Sequence, residues 1–216
     1  MTLILDVSVM TNKIQELTQN GNDNHHSQKT YDHQKIVMIE NIIDTTALII
    51  DVIWNKFFIS LNSQVIPLRL FIQETIRRSR TSWSTLQTAL FYLLRIKPKI
   101  ATLEVEITDN KSDPATCGRR MFLASLIIAS KYLQDRNYAN SAWSKICGLH
   151  VKEINAIERR FLILIDYNLF IKDNIFNNWT NFLRSRICTF SGLKQKGLFS
   201  KDEDQRAIAQ FVECQV

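Results

Sequence analysis

Chain breakers are scarce here, with only 5 Gly and 3 Pro in 216 residues. That scarcity excludes a turn-rich sandwich or barrel and favours long helices. The four cysteines, Cys117, Cys147, Cys188 and Cys214, include no C-x-x-C pair. The usual zinc and redox spacings are therefore missing, and the pattern reads as reduced intracellular thiols packed as small hydrophobes. No uncharged run approaches the ~18 residues that a membrane span requires. The best, Met121 to Ser130, is closed off by Arg120 and Lys131. The apolar start, MTLILDVSVM, lacks a basic n-region and carries Asp6, which argues against a secretory signal. Also missing are a Gly-rich phosphate loop, a metal-spaced cluster and a nucleophile beside a base. No enzyme chemistry is legible, and neither cofactor nor catalytic residue is expected.

What is present suffices for a real core. Hydrophobic residues make up 45% of the chain and charged residues 22%. The net charge is +6 and the sequence pI is about 9.2. This balance fits an acidic partner surface or a nucleic acid without choosing between them.

Residues 18–34, TQNGNDNHHSQKTYDHQ, are polar and rich in Asn, His and Gln, and read as a disordered linker. His25, His26 and His33 within it lack the Cys or spaced carboxylate that a metal site needs. From Ile36 to Ile59 apolar residues recur at helical spacing, giving one long helix or two broken near Thr45–Thr46. Pro67 starts a helix that runs to about Ser79. Ser82 caps the next, which is expected to stop before Pro98, with a loop over residues 98–113. Asp113–Pro114 is a cap followed by a first-turn proline. The helix it announces contains MFLASLIIAS, apolar on every side, and so must be wrapped by other helices. A short helix around Ser141–Cys147 ends at Gly148, and HVKEINAIERRFLILIDY opens another long one. Asn174–Phe190 forms a further amphipathic helix, and Asp204–Val216 adds a short one.

Two charges sit where charges are awkward. Lys131 projects from the side of its helix that carries Ala124, Ile127 and Ile128. Glu158 falls inside the apolar stripe of Ile154, Ile157, Phe161, Leu164 and Ile165. A carboxylate on such a face is costly unless it is paired and hydrogen-bonded. Either the two form a structural ion pair between packed helices, or both point toward a missing partner.

The stretch from Arg119 to Ile171 resembles the cyclin box, and most of all that of the fungal Pcl-type (phosphate-regulator) cyclins. The resemblance rests on the AL-x-YL of Ala89–Leu93, the ASKYLQD of Ala129–Asp135, Trp143 with Gly148–Leu149, Glu158, and the LIDYNLFI of Leu164–Ile171. PLRLFIQETIRRSRTS is similar to that group's first box helix, so the likeness covers roughly residues 64–172. It implies an all-α fold: a single five-helix cyclin box with extra N- and C-terminal helices. The domain layout it suggests is a short segment and disordered linker over 1–35, the box with an N-terminal packing helix over 36–172, and a helical extension over 173–216. It implies a regulatory subunit, not an enzyme, whose partner is a cyclin-dependent protein kinase together with that kinase's protein substrates. In cyclins a central-helix lysine and a fifth-helix glutamate bind the kinase's regulatory helix, and these positions match Lys131 and Glu158. Tyr132, Leu162, Tyr167 and Leu169 match the apolar contacts around them. One departure is Leu94, where many cyclins place an Asp before the arginine; Arg95 is then expected to face solvent.

Cyclin-like boxes also occur in transcription factors, so the arginine pairs at 77/78, 119/120 and 159/160 raise nucleic-acid binding as an alternative. Adjacent residues point about 100° apart on a helix, so these pairs make no single basic stripe. The RRSR of Arg77–Arg80 reads as a helix surface in preference to a nuclear signal, and the RRFL of Arg159–Leu162 matches a degradation signal only by chance. A nuclear or cytoplasmic location without membrane attachment is expected.

Overall fold

The computed structural model describes residues 24–55, 57, 66–103, 113–195, 206, 207 and 210, with side-chain placements beginning at Ile36. Among these residues there are seven α-helices and no strand: α1 (Asn24–Trp54), α2 (Leu68–Ser79), α3 (Trp83–Thr102), α4 (Gly118–Leu133), α5 (Asn140–Cys147), α6 (Val151–Leu164) and α7 (Asp173–Gln195). A 3₁₀ turn, Pro114–Thr116, precedes α4. The all-α expectation holds.

The centre is α4. Every residue from Met121 to Ser130 is buried, as an all-apolar helix requires. It is enclosed by α3 and α6 and, at its start, by α1 and α2. The approach of α1 is close. A Cβ on Gly118 would lie 2.7 Å from Ile50 Cγ2 and 3.2 Å from the Trp54 ring. The Trp54 indole donates to the Ala115 carbonyl at 2.7 Å, joining the end of α1 to the 3₁₀ turn. Helix α7 packs against α1 and lays Trp179 on α3: its indole donates to the Gln87 carbonyl at 2.9 Å, and its ring meets Phe91 edge to face.

Local signals explain most boundaries. The Ser82 hydroxyl accepts from Thr85 N–H and caps α3. Gly148 ends α5 in the left-handed conformation (φ 77°), open to glycine at little steric cost. His150 caps α6, accepting from Lys152 N–H. Asp113 caps the 3₁₀ turn through Ala115 N–H and also holds Arg160 of α6, with Nε 3.0 Å from both carboxylate oxygens.

Some expectations fail, for physical reasons. Helix α1 begins at Asn24, so residues 24–34, polar enough to suggest a linker, belong to a helix; residues 1–23 lie outside the described residues. Of the two readings for residues 36–59, the one long helix holds: α1 runs through Thr45–Thr46 without a break, and Thr46 Oγ1 donates to the Ile42 carbonyl inside it. Nor does α3 stop before Pro98. Proline removes the N–H that would reach Leu94, yet fully buried Ile100 and the Lys99–Asp166 ion pair hold the final turn. Cys117 and Cys147 are half-buried, whereas Cys188 is exposed rather than packed; Cys214 lies outside the described residues. The side chains of His25, His26 and His33, and most of 204–216, also lie outside them.

Two stability predictions follow from these contacts. Burial alone would raise the Asp113 carboxyl, but the Arg160 bonds and Ala115 N–H outweigh it and hold it below the ordinary carboxylate value. A depressed folded pKa contributes stability that is complete above the unfolded value of ~3.9 and is lost as pH falls through the folded value. Asp113→Ala should cost about 1–2 kcal/mol at neutral pH, while Asp113→Asn, which keeps a cap, should cost less and flatten the acid limb of urea-unfolding stability. Gly118→Ala should cost about 1–2 kcal/mol by the same measurement, because stiff Ile50 and Trp54 cannot give way.

Candidate functional site

The rim where α4, α5 and α6 meet carries the two misplaced charges. Lys131 stands in the last turn of α4 and Glu158 in the middle of α6, and Lys131 Nζ donates to Glu158 Oε1 at 2.6 Å. Asn140, the first residue of α5, completes the arrangement. Its Oδ1 accepts from Lys131 at 2.9 Å, while Nδ2 donates to Glu158 Oε2 and to Asn155 Oδ1, each at 2.7 Å. The structural ion pair is therefore formed within the chain. It is also reachable, with side-chain exposures of 34% for Lys131 and 13% for Glu158. An ammonium has three donors and a carboxylate about four acceptor sites. The internal bonds leave Lys131 one N–H and Glu158 further lone pairs to offer outward. A rim pair of this kind contributes about 0–1 kcal/mol, against about 3–5 kcal/mol for one buried tryptophan such as Trp143. The core holds the fold, and the pair keeps donor and acceptor sites to offer outward.

The apolar residues singled out from sequence lie alongside. Tyr132 follows Lys131 and is about half exposed. Leu162 is one turn after Glu158 on the same face of α6 and packs partly against the core. Tyr167 is 66% exposed, and its N–H donates to the Leu162 carbonyl at 2.9 Å. Leu169 is half-buried, its carbonyl accepting from the Tyr92 hydroxyl at 2.9 Å. Burial, reinforced by the neighbouring Tyr132, pushes the Tyr92 phenol far above its ordinary value, so it stays a neutral donor. Lys131 and Glu158 are joined by the ion pair, Tyr132 and Leu162 adjoin them on α4 and α6, and Tyr167 and Leu169 follow in the turn after α6; these six residues make up the candidate ridge.

Sequence reasoning missed three residues here. Asn140 reads as an ordinary helix start, and nothing in its spacing shows that α5 brings it to the ion pair. Phe170, three residues after Tyr167, is 65% exposed; it lies inside the LIDYNLFI stretch but is not among the contacts matched from it. Arg95, expected to face solvent, instead lies half-buried over the Phe91 ring and donates to the carbonyls of Asn168 and Phe170. Without an acid at position 94 it takes backbone oxygens as partners. These bonds hold a strained turn, since Asp166 and Tyr167 are consecutive non-glycine residues at φ 54° and 55°. Each left-handed residue costs about 1–2 kcal/mol.

The arginine pairs are largely engaged within the chain. Arg77 and Arg78 bind Glu74, Arg120 binds Glu153 and Arg160 binds Asp113. Arg119 donates to the Ile66 carbonyl and Arg159 to that of Asn155. They build no continuous basic face. No described helix is long and apolar enough to cross a membrane, and the described residues contain no group of three potential metal ligands.

A family model described as Cyclin matches residues 2–169. The chain is 39% identical over 119 residues to the G1/S-specific cyclin pas1 of Schizosaccharomyces pombe, covering 55% of this chain and 28% of that one. It is 33% identical over 111 residues to PHO85 cyclin-5 of Saccharomyces cerevisiae, covering 50% of this chain and 46% of the relative. With PHO85 cyclin-2 of the same yeast it shares 27% identity over 177 residues, 81% of this chain and 53% of the relative. The chain thus spans about half or less of the length of these curated relatives. They are of the fungal Pcl type that the motifs resemble, and the chain belongs to the cyclin family.

Proposed function

We propose that this chain is the regulatory subunit of a cyclin-dependent serine/threonine protein kinase, serving G1 or nutrient-linked control, and is not itself an enzyme. The observation that carries this reading is the ridge just described: an ion pair reachable from solvent beside exposed aromatic residues, on a chain of the cyclin family. Lys131 and Glu158 would grip the kinase's regulatory helix through their remaining donor and acceptor sites. Tyr132, Leu162, Tyr167 and Leu169 would supply the apolar contact around them. By binding one position of that helix more tightly than the other, the chain would shift the kinase toward the state in which its catalytic Glu meets the nucleotide-binding Lys. In this reading residues 36–172 are the kinase-binding unit, 173–216 an extension, and the complex works in the nucleus, the cytoplasm or both. Nucleic-acid binding is the weaker reading, since the arginine pairs are engaged by their own chain.

Co-purification should recover a cyclin-dependent kinase whose activity on a protein substrate depends on this chain; recovery of no kinase overturns the proposal. The ion pair permits a sharper experiment. The double variant Lys131→Glu with Glu158→Lys keeps an internal pair with its polarity exchanged. It should keep its helicity and unfold within a few degrees of the parent, while losing roughly 100-fold or more in kinase affinity. An unfolded double variant would assign the pair to the fold instead.

A further inference from the structure

Helix α3 carries a row of polar side chains that the proposed function has not used. Tyr92, Arg95 and Lys99 are spaced by three and four residues and share one face. All three reach the same short segment after α6. The Tyr92 hydroxyl donates to the Leu169 carbonyl at 2.9 Å, Arg95 donates to those of Asn168 and Phe170, and Lys99 pairs with Asp166. Three consecutive carbonyls and the preceding acid are therefore all tied to one helix. The held segment includes the two left-handed residues Asp166 and Tyr167, which a free chain would not keep. Its backbone turns accordingly: Tyr167 N–H reaches back to the Leu162 carbonyl and Leu169 N–H to that of Tyr167. The result is two large rings, Tyr167 and Phe170, presented outward at 66% and 65% exposure. A turn held in an unfavourable conformation in order to expose aromatic groups is arranged for contact and not for packing.

We infer that Tyr92, Arg95 and Lys99 are positioning residues that preorganise the 166–170 turn for the kinase, and that Phe170 is a contact residue alongside Tyr167. The inference rests on the kinase-binding reading. Rigidity before binding lowers the ordering cost of association. Arg95 touches the partner only through the turn it holds, which separates it from Lys131.

The test uses the full chain and the kinase that co-purifies with it. In the free chain, Arg95→Ala should speed amide hydrogen exchange about 10-fold or more at Tyr167 and Leu169, and leave Ile127 and Phe161 unchanged. Kinase affinity should fall about 10-fold, with Arg95→Lys intermediate because one ammonium can still serve a carbonyl. In a chain already carrying Tyr167→Ala and Phe170→Ala, adding Arg95→Ala should cost almost nothing further; fully additive losses would make Arg95 a direct contact and overturn the inference. Exchange that rises throughout the core would show a merely structural role and also overturn it. Lys99→Ala, at a more exposed position, should repeat the local effect at smaller size. If the parent chain recovers no kinase, the functional reading falls and this inference falls with it. A binding parent with an equally tight Arg95→Ala variant removes the inference alone.

Discussion

A helix with no polar face has to be enclosed, and α4 has none between Met121 and Ser130. That requirement places the helices around it. Only its two ends reach solvent, so its polar chemistry is confined there. Both ends follow one pattern: α4 supplies the cation and α6 the acid, as Arg120 with Glu153 at the start and Lys131 with Glu158 at the finish. Each pair fixes the register of the two helices, and neither is deep enough to dominate their packing. The start is closed over by α1 and the 3₁₀ turn, with Arg160 and Asp113 nearby. The finish is left open, and there the aromatic residues gather.

The division of labour between core and rim follows from magnitudes. Trp54, Trp143 and Trp179 are almost wholly buried, and truncating one such residue typically costs about 3–5 kcal/mol. A rim ion pair supplies about 0–1 kcal/mol. On the proposed reading, the fold tolerates changes at Lys131 and Glu158 that kinase binding does not.

Much of this was legible in the residues themselves. An all-apolar helix announces its own burial, Ser82 and Gly148 mark ends by local chemistry, and the two misplaced charges did find each other. Periodicity reports which way a residue points from its own helix; it is silent on what waits opposite. For that reason Arg95 was assigned to solvent when a turn far along the chain, at Asn168 and Phe170, supplies its partners. Asn140 and the Asp113–Arg160 bond escaped in the same way. Pro98 and residues 24–34 mislead for a different reason. Local propensity is a weak preference, and packing and anchoring further along a helix can carry it through an unfavourable residue.

The join between Trp54 and the 3₁₀ turn bears on how the chain may be divided. The motifs quoted from the sequence begin after α1, so they alone would allow a fragment cut at the first box helix. Such a fragment would strip Ala115 of its indole donor and uncover the side of α4 that Ile49, Ile50 and Trp54 now close. The smallest piece able to fold alone therefore includes α1, which lies before the motifs but inside the family match over residues 2–169.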